Sequence, residues 1–501
     1  MTDRHTAPDL IERLLDAGSW TRWDAPADRS GLAPAYVAEL ERAEAKSGLD
    51  ESVLSGRGTI EGQPVAVIAS EFGFLAGSVS RASADRLVAG IARATEEGLP
   101  LVGLTCSGGT RMQEGTPAFV QMVRIGAAIA AHRAAGLPYV AYLRNPTTGG
   151  VMATWGSLGQ ITYAEPGALA GFLGPRVYSA LYDEEFPPGV QVAEHLAEVG
   201  VIDAVVAPDD LRERLATVLR ALTPADHEPA DHELTGADLR TGEPAAAGFA
   251  ELDAWDAVTR TRRPERPGVR DLLAARATDV VELSGTQAGE AGPALLLALA
   301  RFDGQPCVVV GQDRAAEAAG HRLGPAELRT ARRGIAVAAE LRLPVLTVID
   351  TKGGELSAAA EEGAIAGEIA RCLADLVTCT APTLCLMLGE GNGGAALAFL
   401  PADRVVAAQH AWLSPLPPEG ASAIVHRDTD HAAEMARSQQ VLATGLATRG
   451  AVDVVVPELP DAADEAAAFL DRLGSVVATE LAALRERGAG SAADRAARYA
   501  F

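Results

Sequence analysis

The 501-residue chain repeats itself at a nearly constant offset, which restricts its fold more than any single motif does. Three short apolar segments, each introduced by a proline, occur in the first half: GQPVAV at Pro64, GLPLVGL at Pro100 and GLPYVAYL at Pro138. Three more occur in the second half: GQPCVVV at Pro306, RLPVLTVI at Pro344 and APTLCLML at Pro382, at offsets of 242, 244 and 244. A glycine turn follows the second and third segments of each half, and the 244 shift lays Gly149-Gly150 onto Gly393-Gly394. A period of this length implies a duplicated domain with two similar binding tasks.

Strand, glycine turn and helix alternate through each half, the pattern of an α/β fold. The first domain is expected over 1–222 and the second over 249–501. The segment 223–248, rich in Pro, Asp, Glu, Gly and Ala and without periodicity, reads as a linker. His227 and His232 within it are expected to be solvated connector residues, with a metal site as the alternative. Helices are predicted within 8–50, over 327–342, and in the amphipathic stretch that ends the chain.

Charge narrows the partners. A net charge of −24 opposes binding to nucleic acid and to anionic lipid, both polyanions. No apolar run reaches membrane-spanning length, and the N-terminus MTDRHTAPDL lacks the basic and apolar regions of a signal peptide, so a cytoplasmic location is expected. Only two lysines occur, Lys46 and Lys352, so a phosphate-bearing ligand must meet arginine. The five cysteines form no CxxC pair and are expected as buried fillers, with no bound metal.

The turns carry the chemistry. TCSGGTRMQEG places Gly108-Gly109 where a strand ends, and RNPTTGGVMATWG places Gly149-Gly150 at the opening of a small-residue helix. The second half has Gly353-Gly354 in IDTKGGELSAAAEEG and Gly393-Gly394 in LGEGNGGAALAFL. Backbone N–H groups at such places can point at an anion, and glycine permits close approach. Two such donors aimed at one oxygen make an oxyanion hole. Ordinary tight turns are the alternative.

TCSGGTRMQEG, RNPTTGGVMATWGSLGQITYAEPGALAGFLGPRV and IERLLDAGSW resemble the β subunit of bacterial acetyl-CoA carboxylase carboxyltransferase. RRPERP, LARFDGQPCVVVG, VIDTKGGELSAAAEEG, LGEGNGGAALAF and PPEGASAI resemble its α subunit, so about 10–220 and 250–456 are covered, in β-then-α order. The resemblance implies two tandem crotonase-like domains of β-β-α superhelix type. It further implies acyl-CoA on the first, and on the second carboxybiotin borne by a separate carrier protein, with biotin carboxylase a further chain. Homo-oligomers, a dimer or a trimer of dimers, are implied, each site joining the β-like half of one protomer to the α-like half of another.

Carried over by motif, Gly108, Gly109, Gly149 and Gly150 would hold the thioester oxygen. Gly353, Gly354, Gly393 and Gly394 would serve the biotin side, and decarboxylated biotin itself would take the α-proton. Arg81, Arg111 and Arg176 are candidates for CoA phosphates or a substrate carboxylate, with structural ion pairs as the alternative. Glu114 and Glu362 could act as bases or as helix-terminal charges.

The α-like turn departs from its family, which has Asp-Thr-Pro-Gly-Ala-Tyr-Pro-Gly where this chain has Asp350-Thr351-Lys352-Gly353-Gly354-Glu355-Leu356-Ser357. Losing both prolines should loosen it. Lys352 is expected either to meet a carboxylate or to be solvated beside Glu355. The leading expectation is a carboxyltransferase that makes malonyl-CoA or an α-substituted relative. A malonyl-type decarboxylase and a catalytically reduced scaffold subunit are the alternatives.

Overall fold

In the computed structural model, which describes residues 5–172, 178–179, 183–223 and 252–500, all six proline-marked segments are strands. The expected linker, from residue 224 on, and Arg176 lie outside the described residues. The chain divides into one unit of Met1–Leu219 with Gln287–Gly289 and another of Arg220–Thr286 with Glu290–Phe501.

The first unit builds a sheet from β1 (Thr21–Arg22), β2 (Val53–Ile60), β3 (Gln63–Ser70), β4 (Leu101–Ser107), β5 (Tyr139–Thr148), β6 (Ile161–Ala164), β7 (Ala170–Gly171) and β8 (Ala204–Val205). Its order is β1-β2-β3-β4-β5-β6-β8, with β7 paired to β5. The second has β9 (Ala277–Leu283), β10 (Leu295–Phe302), β11 (Gln305–Gln312), β12 (Val345–Thr351), β13 (Thr383–Gly391), β14 (Arg404–Ala408) and β15 (Val454–Val456), ordered β15-β14-β13-β12-β11-β10-β9. In each sheet an antiparallel hairpin, β2-β3 or β10-β11, leads into parallel strands. The parallel strands β4 and β12 are buried along their whole length, which is why they read as near-continuous apolar runs.

The duplication reaches beyond the strands. Helices Gln121–Ala134 and Ile365–Thr378 lie 244 residues apart at both ends, and Arg81–Glu96 and Pro325–Leu341 start at the same interval. Each pair packs together, Arg81–Glu96 on Gln121–Ala134 and Pro325–Leu341 on Ile365–Thr378. Even the close contact of helix on hairpin recurs. A Cβ on Gly90 would stand 2.9 Å from the Ser55 Cβ, and one on Gly334 2.6 Å from Leu297 Cδ1. The last long helix, Ala466–Arg487, buries Phe469, Leu473, Val477 and Leu481 within the second unit. No helix among the described residues is long and apolar enough to cross a membrane. All five cysteines are buried and none is in a disulfide, and burial pushes the Cys372 and Cys385 thiols up to about 12.

One irregularity positions the site. The β4-β5 register runs regularly to Thr105↔Leu143 and then jumps to Ser107↔Thr147. The β12-β13 register jumps at the same place, from Ile349↔Met387 to Thr351↔Gly391. Both sheets therefore loosen their ladder where the glycine turns begin, which turns backbone groups away from their neighbours.

Candidate active site

The first unit brings its two glycine turns together. Gly109 and Gly149 both take left-handed backbone, φ 109° and 65°, and a Cβ on Gly149 would lie 3.2 Å from the Gly109 Cα. Several of the expected donors are committed internally. Gly108 N–H donates to the Ala76 carbonyl (2.9 Å), Gly109 N–H to the Ser107 hydroxyl (3.0 Å), and Gly149 N–H to the carbonyls of Gly171 (3.3 Å) and Phe172 (2.9 Å). No acceptor among the described residues takes the N–H of Thr110 or Gly150.

The second unit follows the same plan. Gly353 N–H donates to the Thr351 hydroxyl (3.0 Å) and Gly393 N–H to the Ser414 carbonyl (2.8 Å). A Cβ on Gly353, whose φ is 115°, would stand 3.7 Å from the Asn392 Cβ, so these turns also adjoin. The N–H groups of Gly354 and Gly394 have no acceptor among the described residues. The available donors are thus Thr110 and Gly150 in one unit and Gly354 and Gly394 in the other, at matching repeat positions. The expectation for Gly108, Gly109, Gly149, Gly353 and Gly393 is corrected accordingly: their N–H groups hold the turns. The glycines permit the turn, and the residue after it carries the donor. The asymmetry between Thr110 and Gly354 hid this from a search for glycine pairs.

The second turn rests on buried carboxylates. Glu317 accepts the Lys352 N–H (2.9 Å) and the Thr351 hydroxyl. Asp350 pairs with Arg314 (3.1 Å), and Glu390 with Arg262 (3.1 Å). Burial pushes Asp350, Glu317 and Glu390 above the ordinary carboxylate range. The Lys352 side chain is exposed and makes no ion pair among the described residues. Glu355 instead accepts the Ser357 hydroxyl (2.6 Å), so the expected Lys352–Glu355 pairing is not formed.

The candidate arginines part company. Arg81 is exposed, without an ion-pair partner among the described residues, on the wall of a cleft of about 580 Å³ that Trp23 and Glu114 also line. Arg111 is wholly buried. Its guanidinium donates to Glu51 (2.7 Å), the Ser78 hydroxyl (2.6 Å), the Ser78 carbonyl (2.8 Å) and the Tyr36 hydroxyl (2.9 Å). The expectation of a phosphate or carboxylate contact does not fit this packing, because Arg111 holds the turn to the body of the unit. Glu114 accepts the Tyr36 hydroxyl (2.9 Å) and the Arg81 N–H (2.8 Å), and Glu362 is exposed at the end of a short helix.

Comparison with known proteins decides the family. The model of the carboxyl transferase domain matches residues 2–489. The chain belongs to the carboxyl transferase family. A carboxyl transferase relative from Mycobacterium tuberculosis, a probable biotin-dependent acyl-coenzyme A carboxylase beta3 subunit, is 55% identical over 483 residues, 96% of this chain and 95% of that one. Acetyl-coenzyme A carboxylase carboxyl transferase subunits beta/alpha of Salinispora tropica are 36% identical over 482 residues, covering 92% and 83%. The fold matches the transcarboxylase 12S hexamer, solved with methylmalonyl-coenzyme A and methylmalonic acid, at a TM-score of 0.73 with 22% identity over 94% of this chain and 89% of that one. The tandem crotonase-like architecture that the resemblance implies is therefore matched by the fold of transcarboxylase 12S.

Proposed function

We propose that this carboxyl transferase moves a carboxyl group from biotin on a separate carrier protein to the α-carbon of an acyl-CoA, acetyl-CoA or a close relative, to give malonyl-CoA or its α-substituted counterpart. The observation that carries the reading is the repeated pair of uncommitted N–H groups on adjacent turns, Thr110 with Gly150 and Gly354 with Gly394. Loss of the α-proton puts negative charge on a thioester oxygen, and one fixed donor to such an oxygen contributes on the order of 3 kcal/mol. Thr110 and Gly150 would hold that oxygen, while Arg81, exposed and without an ion-pair partner among the described residues, is available to CoA phosphates.

The second pair suits a cyclic urea. Gly354 and Gly394 offer donors for a carbonyl oxygen, and beside them the buried Asn392 Oδ1 has no donor among the described residues, as a ureido N–H would supply. Biotin, when bound, brings the carboxyl group to be transferred. Lys352, exposed on this turn, would meet a carboxylate there.

Exposed apolar side chains flank both turns. Met112 (75% exposed) and Phe172 (72%) stand by the first, and Leu356 (97%) and Leu416 (40%) by the second. Surfaces of this kind are covered in assemblies, which supports a homo-oligomer, as does the hexamer of transcarboxylase 12S. The carrier and the biotin carboxylase would be separate chains, met in the cytoplasm.

The deciding assay uses the purified protein. Acyl-CoA carboxylation that requires a carboxylated carrier supports the reading. Avidin-insensitive CO2 release from malonyl-CoA would replace it with a decarboxylase, and binding of carboxylase subunits without either activity would replace it with a scaffold.

A further inference from the structure

The turns of the two units are alike in backbone but differ in what braces them. In the first, the segment that packs beneath the turn reaches it through neutral groups. The Ala76 carbonyl takes the Gly108 N–H (2.9 Å), Val79 bridges Thr110, and the Ser70 hydroxyl takes the Cys106 N–H (3.2 Å). In the second, the corresponding segment Arg314–Leu323 grips the turn largely with charge. Arg314 pairs with Asp350, Leu323 bridges Gly354, and between them Glu317 takes both the Thr351 hydroxyl and the Lys352 N–H (2.9 Å).

Glu317 therefore stands at the head of a relay. Its carboxylate accepts the Thr351 hydroxyl proton, which orients the lone pairs of that oxygen toward the Gly353 N–H (3.0 Å). The other carboxylate oxygen takes the Lys352 N–H. Two successive N–H groups are thereby drawn inward, and the next one in the chain, on Gly354, has no acceptor among the described residues. The prolines that stiffen this turn in the carboxyltransferase pattern are replaced here by Lys352 and Leu356, so the carboxylate supplies a constraint that the ring geometry does not. Glu317 is 4% exposed, with the Arg322 guanidinium 3.8 Å away.

We propose that Glu317 is a positioning residue for the biotin-side turn, holding Thr351 to Gly353 so that the Gly354 N–H is presented to the ureido oxygen. The proposal rests on the reading of this turn as the biotin site. It follows that Glu317 acts on one substrate of two, since the acyl-CoA turn is braced independently.

The test is steady-state kinetics of the intact protein in the reverse direction, with malonyl-CoA or methylmalonyl-CoA as carboxyl donor and free biotin as acceptor. Glu317→Ala and Thr351→Val are expected to raise the KM for biotin at least fivefold and to lower kcat. The KM for the CoA substrate should stay within twofold. Glu317→Gln retains one acceptor and should recover part of the loss. Thr351→Val keeps the side-chain shape, so it carries the test if Glu317→Ala fails to fold. Biotin KM values unchanged within twofold in all folded variants, or both KM values rising in parallel, would overturn the proposal. Gly394→Val separates the underlying reading: full biotin-dependent turnover in that variant removes the biotin assignment itself, and the role of Glu317 falls with it.

Discussion

Ser107 and Thr351 hold the same place in the two copies, and each takes through its hydroxyl the N–H of the glycine two residues on, at 3.0 Å in both cases. A hydroxyl here converts a strand end into a turn of fixed shape, because it satisfies a donor that the interrupted ladder leaves open. Ser107→Ala strands the Gly109 N–H. It is expected to cost about 1 kcal/mol of stability and to lower kcat roughly tenfold, whereas Ser107→Thr should keep most of the activity. Carboxylation rates with a loaded carrier check this.

Arg111 answers to stability rather than to substrate. Removing it leaves Glu51 buried and without its guanidinium. Arg111→Ala should therefore lose about 3–5 kcal/mol in urea unfolding. An unchanged unfolding midpoint accompanied by a raised KM for acyl-CoA would return Arg111 to the binding site.

Lys352 is the opposite case. Its side chain is exposed and unpaired among the described residues, so Lys352→Gln should leave the thermal midpoint within a degree or two. The same change is expected to raise the KM for carboxylated carrier severalfold. Isothermal titration with carrier protein would show the loss directly.

Much of this architecture was legible because duplication writes each element twice. The proline-led strands, the turns and the helix over 327–342 all follow from spacing and apolar period, and four of the strands begin on the residue after their proline. The site was legible only in part. Glycine marks where a backbone must bend, but the N–H that remains free depends on which carbonyls and hydroxyls lie beneath, and those come from segments about thirty residues upstream, as Ala76 and Glu317 do. Arg111 misleads for the same reason. Its neighbours in sequence are turn residues, while its partners Tyr36 and Glu51 arrive from elsewhere in the chain.

A pH dependence follows from Glu458. Burial alone would raise its carboxyl, but hydrogen bonds from Arg266 (2.7 Å) and His410 (2.8 Å) outweigh burial and hold it well below its ordinary 4.5. The folded protein thus binds this proton less readily than the unfolded chain, and the stabilisation is complete above the ordinary value and drains away as pH falls beneath it. Urea midpoints of the natural protein and of Glu458→Gln should be furthest apart above pH 5 and should converge toward pH 3. A gap that widens in acid would refute the assignment.

Leu356 should report on assembly. With 97% of its surface exposed beside the second turn, Leu356→Glu is expected to leave the fold intact and to reduce the oligomer seen by sedimentation. An unaltered distribution would place the contact elsewhere.

The approach of Gly149 to Gly109 has a further meaning. A side-chain carbon on Gly149 would come within 3.2 Å of the Gly109 α-carbon, so the gauge of the first site is set by backbone alone. It can neither be narrowed by a rotamer change nor widened without breaking strand pairing. On the proposed reading, selection among acyl chains of different length would then fall to the side chains around the turns, with the reactive carbonyl held at one fixed station.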